Sequence, residues 1–152
     1  MALTRVQLDA WRSFLRAYDH AMRVLDAELR ERHDLTIGEY DVLVQLSLAD
    51  GRRLRMRDLA RATLFSPSGV TRVCERMERT GLVGREASPG DARGTDAVLT
   101  ERGRALLRAA AKTHRQGIHE HFARHFDEAQ LAEFAAGAAR VAAAGRDVRP
   151  GP

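Results

Sequence analysis

SPSGVTRVCERMERTGLVGREASPGDARGTDAVLTERG, from Ser66 to Gly103, changes its hydrophobic period part-way along. In its first part, apolar residues recur at helical spacing. On a wheel of about 100° per residue, Val70, Val73, Cys74 and Met77 share one face, while Ser68, Arg72, Glu75, Arg76 and Arg79 share the other, with Thr71 at its edge. Ser66 followed by Pro67 is a helix start: a hydroxyl at the N-cap takes up an orphan amide, and proline at the first helical position has no amide to lose. Gly81 is a natural stop, because glycine enters the left-handed conformation that ends many helices. From Leu82 the spacing becomes that of strands. LVGREA and TDAVLT flank the turn-rich SPGDARG, which predicts a β-hairpin, and Thr100 caps a helix that begins at Glu101.

Upstream, TIGE places Thr36 and Glu39 three residues apart, the spacing of a capping box, and opens a helix through YDVLVQLSLA that Gly51 ends. LRMRDLARATLF predicts a short helix carrying Leu59, Ala62 and Thr63 inward. Two short helices joined by a tight turn and followed by a hairpin make a winged helix-turn-helix. Around it lie long helices. Residues 4–32 repeat Leu8, Trp11, Leu15, Tyr18, Met22, Leu25 and Leu29 at three- and four-residue steps, and Phe14, Ala17, Ala21 and Val24 widen the stripe beyond one face. Such a helix is expected to be covered twice, by its own domain and by a partner chain. After Glu101 one helix runs through RALLRAAAKTHRQGIHEHFARHF, broken at Gly117. Asp127 and Gln130 then mark the start of an Ala-rich last helix, whose small residues permit close helix approach. The expected fold is mainly α with a small β-hairpin wing, with a DNA-binding region at 36–100, a helical dimerisation region at 1–35 and 101–146, and a flexible tail at 147–152.

Net charge over the 152 residues is +4, and its distribution is uneven. Between Arg52 and Arg104 stand twelve Arg and seven acidic residues, so the rest of the chain carries a net −1. A local guanidinium excess attracts a phosphate backbone; a solvated charged surface is the plainer reading. No apolar run approaches the ~20 residues of a membrane span, the first residues have no signal-peptide core, and the one cysteine, Cys74, permits no internal disulfide. A cytoplasmic protein with no membrane partner and no cofactor is expected. A face of Ser, Thr and Arg suits the major groove, where Arg can chelate guanine and hydroxyls reach bases or phosphates. The competing reading is a solvated helix in which Arg72, Glu75 and Arg79 pair along the helix.

From Thr36 to Leu107 the chain resembles the MarR family of bacterial transcription regulators, dimeric winged-helix proteins that respond to small molecules. The matching elements are MRDLARATLFSPSGVTRVCERMERTGLVGR and a wing signature, D-x-R followed by L-T-x-x-G, here Asp91, Arg93, Leu99, Thr100 and Gly103. The resemblance implies that Arg93 enters the minor groove, that Asp91 orients the wing, and that the segment from Ser66 to Arg76 reads the major groove. It also implies a dimer built by the first, fifth and sixth helices, hence an inverted-repeat operator in double-stranded DNA. The expected DNA-binding residues are Ser66, Ser68, Thr71, Arg72, Arg76, Arg79, Asp91 and Arg93. Glu75 departs from the neutral or basic residue many members carry; it either accepts from a cytosine amine or positions Arg72 and Arg79, and positioning is the expectation. THRQGIHEHF further resembles a branch of the family that senses aromatic or organic acids.

An effector pocket is expected where the dimer helices meet the winged region. Trp11, Phe14, Tyr18 and Tyr40 offer aromatic walls, and Arg16 and His20 are available for a carboxylate, although the helical stripe explains Trp11 and Tyr18 as plain core and His20 fits a buried, partnered histidine equally well. His114, His121 and His125 are spaced for a metal but form an incomplete ligand set, so a surface or interface role is expected. Cys74 falls on the inner face, where thiols are inert. No phosphate-binding glycine loop or nucleophile–base arrangement points to an enzyme. The leading expectation is a homodimeric, ligand-responsive regulator, a repressor released from its operator by a small aromatic or acidic effector; the alternative is a winged-helix interaction module with an acidic protein partner.

Overall fold

A computed structural model describes residues 2–63, 65–89 and 91–144, without the side chains of residues 67, 92 and 93. The first helix, α1 (Arg5–His33), starts at a capping box in which the Thr4 hydroxyl accepts from the Gln7 amide and the Gln7 side chain accepts from the Thr4 amide. It ends at Asp34 in the left-handed region. Then follow α2 (Ile37–Leu48), a 3₁₀ turn at Asp50–Arg52, a short strand β1 (Arg53–Arg55), α3 (Met56–Ala62), α4 (Pro67–Arg79), β2 (Val83–Ser88), β3 (Asp91–Leu99), α5 (Glu101–His121), a second 3₁₀ turn at Ala123–His125 and α6 (Glu128–Ala144). Among the described residues no helix is long and apolar enough to cross a membrane.

The core sits under the helix-turn-helix. Leu29 and Leu35 meet Val42, Leu43 and Leu46 of α2, Leu59 of α3, Val70, Cys74 and Met77 of α4, and Leu82, Val83, Ala97 and Leu99 from the wing's base. Ala62, expected inside, is exposed: α3 is short and ends there, and Thr63 takes the inward position while its hydroxyl donates to the Leu59 carbonyl at 2.9 Å. The end of α4 is a Schellman motif, with Gly81 at φ +70, its N–H on the Glu78 carbonyl and the Leu82 N–H on the Met77 carbonyl.

The hairpin is part of a three-stranded antiparallel sheet ordered β1-β3-β2. Strand β1 adds itself to β3 through Arg53, Leu54 and Arg55 opposite Val98, Ala97 and Asp96. Strand β3 also begins earlier than the sequence suggests, at Asp91. Ala87 faces Thr95, but Ser88 faces Asp91, so residues 92–94 fall in a register shift between the two pairs.

Two readings of the long helices change. Helix α5 passes through Gly117 without a break. The glycine is there for close approach: a Cβ on it would lie 2.6 Å from both the Leu25 and Glu28 side chains of α1. The stripe of α1 is covered by its own chain only toward its C-terminal end, where Leu25 and Leu29 are buried, whereas Trp11, Phe14, Leu15 and Tyr18 are exposed. Helix α6 opens with reciprocal bonds between Asp127 and Gln130 and buries no residue; its Phe134 joins Phe122 and Phe126 in an aromatic cluster at the end of α5.

Candidate nucleic-acid interface and flanking groove

Ser66 caps α4 by accepting from the Gly69 amide at 3.1 Å, and its hydroxyl lies 3.2 Å from that of Ser68. The inner face of α4 is sealed, with Val70, Cys74 and Met77 at 0% exposure; burial pushes the Cys74 thiol up to about 11. Ser68, Thr71, Arg72, Glu75, Arg76, Glu78 and Arg79 lie on the exposed side.

The arginines of that side are not equivalent. Across the basic window, Arg52, Arg53, Arg55, Arg57, Arg61, Arg76, Arg85 and Arg104 each form an ion pair with a carboxylate. Among the described residues only Arg72, Arg79 and Arg102 of this window have none, and the Arg93 side chain lies outside the described residues. Two of those three uncommitted guanidiniums are therefore on the outer face of α4. Glu75 does not pair with either of them. Its carboxylate faces Arg85 of β2 at 3.8 Å, and Arg85 also reaches Glu78 at 3.6 Å and the Thr71 carbonyl at 3.4 Å. The expectation that Glu75 positions Arg72 and Arg79 is thus corrected, since the nearer cation comes from the wing.

Arg76 turns back into the protein. Its Nε lies 2.8 Å from Glu39 Oε1, and one terminal nitrogen donates to the Thr36 hydroxyl at 3.3 Å. Glu39 is the capping-box acid of α2, accepts from the Thr36 amide and hydroxyl, and is 6% exposed. Removing one partner of a buried ion pair costs ~3–5 kcal/mol. The Arg76 side chain is about half-exposed, so solvent screens the pair and its cost of breaking falls below that range. In this arrangement the guanidinium is directed to the start of α2.

In the wing, Asp91 pairs with Arg55 at 3.1 Å. Asp96 is buried and takes the Ser88 hydroxyl and Arg53 Nε, and Arg53 continues to Glu86 at 3.2 Å. The Ser88 hydrogen bond, joined by Arg53 and Arg55, outweighs burial and holds the Asp96 carboxyl below its ordinary value. Sequence reading missed this network because β1, which supplies both arginines, is only three residues long.

A groove of about 940 Å³ runs between α1, α2, α4 and α5, walled by Tyr18, Met22, Tyr40, Val44, Phe65 and Val73. Of the expected effector residues it gathers Tyr18 and Tyr40; Trp11, Phe14, Arg16 and His20 are exposed on α1 and do not line it within one chain. It also holds His114, missed as a groove residue, whose ring lies 4.4 Å from that of Tyr40 and whose Nδ1 is buried without a hydrogen-bond partner among the described residues. Burial lowers the His114 pKa and raises that of Tyr40. The histidines once grouped by spacing separate: His121 pairs with Glu28 at 2.9 Å and stands beside the His20 ring, while His125 is exposed on the second 3₁₀ turn.

The MarR family model matches residues 33–94, which span the helix-turn-helix and the start of β3. Over the whole fold, AbsC, a MarR family transcriptional regulator from Streptomyces coelicolor, is 34% identical with a TM-score of 0.89, covering 97% of this chain and 99% of its own. The chain belongs to the MarR family. It is accordingly a transcriptional regulator of winged-helix fold. Sco3205, a MarR family regulator from the same organism solved in complex with DNA, is 29% identical with a TM-score of 0.89, over 99% of this chain and 92% of that one. A transcriptional repressor of Mycobacterium tuberculosis, Rv2887, is 38% identical over 76 residues, 50% of this chain. The match spans about half (53%) of the length of that curated relative.

Proposed function

We propose that this MarR family member is a homodimeric repressor that binds an inverted-repeat operator and is released by a small aromatic or organic-acid effector. The observation that carries the DNA half is the outer face of α4, where Arg72 and Arg79 are free of ion pairs among the described residues while their neighbours are committed. Ser68 and Thr71 flank them, Ser66 fixes the helix start, Asp91 holds the wing to Arg55, and Arg93 is assigned to the minor groove by the family's D-x-R pattern. The dimer half rests on apolar surface the chain leaves uncovered: Trp11, Phe14, Leu15 and Tyr18 of α1 with Phe134 and Val141 of α6. Exposed aromatic surface on that scale calls for a partner. Residues 1–35 and 101–146 then form the dimerisation region and 36–100 the reading unit.

The groove is assigned to the effector. Its aromatic walls suit a ring, and His114 Nδ1 is buried there with no hydrogen-bond partner among the described residues. Trp11, Phe14, Arg16 and His20 reach such a molecule only from a partner's α1. The test is a salt-dependent titration of DNA from upstream of the protein's own gene, against unrelated duplex. Sequence-specific retention with a steep negative slope in log salt is expected; equal, weak retention of every duplex refutes the repressor reading.

A further inference from the structure

The polar contacts around the start of α2 form a continuous path from α1 to the recognition helix. On one side, Asp26 of α1 accepts from the Ile37 amide, the first of α2, at 2.8 Å, and its other oxygen takes Arg30 Nε. Burial opposes the Asp26 carboxylate, but the Arg30 side chain, the Ile37 N–H and the charges of Arg30 and Arg76 outweigh it and hold its pKa below the ordinary value. Next, the Thr36 hydroxyl uses its whole capacity, donating to Glu39 and accepting from the Glu39 amide and from Arg76. Glu39 closes the path by holding Arg76 of α4. The groove lies on one side of this junction and a second cleft of about 510 Å³, lined by His33, Leu82, Arg102 and Leu106, on the other; Arg30, Thr36 and Arg76 face both.

We infer that Arg76 is a positioning residue: the Arg76–Glu39–Thr36 junction fixes the recognition helix on the N-terminus of α2, and Arg76 acts on DNA through that orientation instead of touching the duplex. Among the described residues no other polar contact between α2 and α4 has this character. Their other contacts are apolar side chains such as Val42, Leu46, Val70 and Met77, which resist separation but allow sliding, whereas a carboxylate gripping Nε with a hydroxyl on a terminal nitrogen sets direction. The inference moves Arg76 from the expected readers of the major groove to the support of that helix, and it rests on the proposal that α4 binds DNA.

The decisive comparison uses the full chain with Glu39→Gln, Arg76→Gln, their double variant and Arg72→Ala. Glutamine at 39 keeps an oxygen for the Thr36 amide, so the capping box survives and only the grip on Arg76 is lost. Each protein is titrated with its upstream duplex between 50 and 200 mM salt. Arg76→Gln and Glu39→Gln are expected to weaken binding by similar factors, about tenfold, with the double variant no weaker than either, as for partners in one coupled pair. Both should keep the wild-type slope of log affinity against log salt. Arg72→Ala, by contrast, should lower that slope by about 0.9, the loss of one phosphate contact. A slope lowered equally by Arg76→Gln, with Glu39→Gln binding as wild type, overturns the inference. Amide exchange without DNA decides the same point independently: Ile37–Tyr40 and the α4 amides should exchange faster in Glu39→Gln and Arg76→Gln and at the wild-type rate in Arg72→Ala, and unchanged exchange in all three overturns the junction. Should wild type bind no duplex specifically, the repressor proposal fails while the exchange result still stands or falls alone.

Discussion

Replacing Gly103 with alanine should unfold the corner where the wing meets α5, by an amount that can be worked from the contacts. A Cβ on Gly103 would collide with the Leu82 carbonyl oxygen and lie 2.9 Å from the Leu99 side chain. That carbonyl is held in place, since it accepts from the Thr100 amide at 3.3 Å and from the Thr100 hydroxyl at 3.0 Å, and the same hydroxyl accepts from the Gly103 amide. Reaching an ordinary contact requires the backbone at Leu82 to retreat by about 1 Å, which overpacking costs put at ~1–3 kcal/mol. Losing one or both hydrogen bonds adds ~1 kcal/mol each. Alanine returns at most ~1 kcal/mol of helix propensity. The net destabilisation is therefore ~1–4 kcal/mol, a fall in Tm of roughly 2–16 °C for a chain of this size, measured by thermal denaturation at one fixed protein concentration. Gly117→Ala is the comparison. Its Cβ would meet only side-chain ends, of Leu25 and Glu28, which can rotate away, so its loss should be smaller. A Gly103→Ala protein that melts at or above the wild-type temperature would refute this account of the motif's glycine.

Cys74 should resist alkylation in the native protein and react in denaturant, because its thiol is buried and its pKa raised to about 11. As pH climbs from the ordinary value near 9 toward 11, the unfolded chain loses a proton the folded one keeps, so stability should fall across that window and a Cys74→Ala variant should show a flatter profile. His114 works in the opposite direction. Burial depresses its pKa below 6.5, the unfolded state binds the extra proton, and stability should drop as pH falls from 6.5 through the folded value, an effect a His114→Gln variant would lack in denaturant titrations between pH 7 and 5. Arg85→Gln should weaken duplex binding, since Glu75 and Glu78 would then face phosphates without their cation, and adding Glu75→Gln should restore part of the loss; binding by Arg85→Gln equal to wild type would show that the two carboxylates do not face DNA.

What the sequence discloses here is mostly local. The starts of α2, α4, α5 and α6 are written within four residues each, as Thr36 with Glu39, Ser66 with Pro67, Thr100, and Asp127 with Gln130, because a cap satisfies amides of its own first turn. The inner face of α4 is legible for the same reason, since one wheel places Val70, Cys74 and Met77 together. What fails is whatever depends on a distant partner. Strand β1 has three residues and no period, and it exists because β3 offers an unpaired edge. Arg76 looks identical to Arg72 and Arg79 on a wheel, and only the return of α2 beneath α4 separates them. Gly117 reads as a break until α1 is seen lying against it. The aromatic stripe of α1 divides in the same way, Tyr18 reaching the groove while Trp11 and Phe14 stay outside it, because α1 outruns the domain it packs on.

The basic window therefore means something different from what its charge total suggests. A surplus of arginine looks like a surface prepared for phosphate, yet most of these side chains are already paired with carboxylates of the fold. Arg53 and Arg55 tie β1 to Asp96 and Asp91, Arg76 ties α4 to α2, and Arg85 ties α4 to β2. The last two stand on opposite flanks of the recognition helix, one gripping it through its own arginine and the other through its own glutamates. A helix braced by charge on both sides has little freedom to roll. Arginine suits the task because its planar fork engages two acceptors in a fixed direction. Had Arg72 and Arg79 both been drawn into the same bracing, the helix would be held but would present no free cation. Their separation from every carboxylate pair among the described residues is thus as much a property of the fold as the pairs themselves.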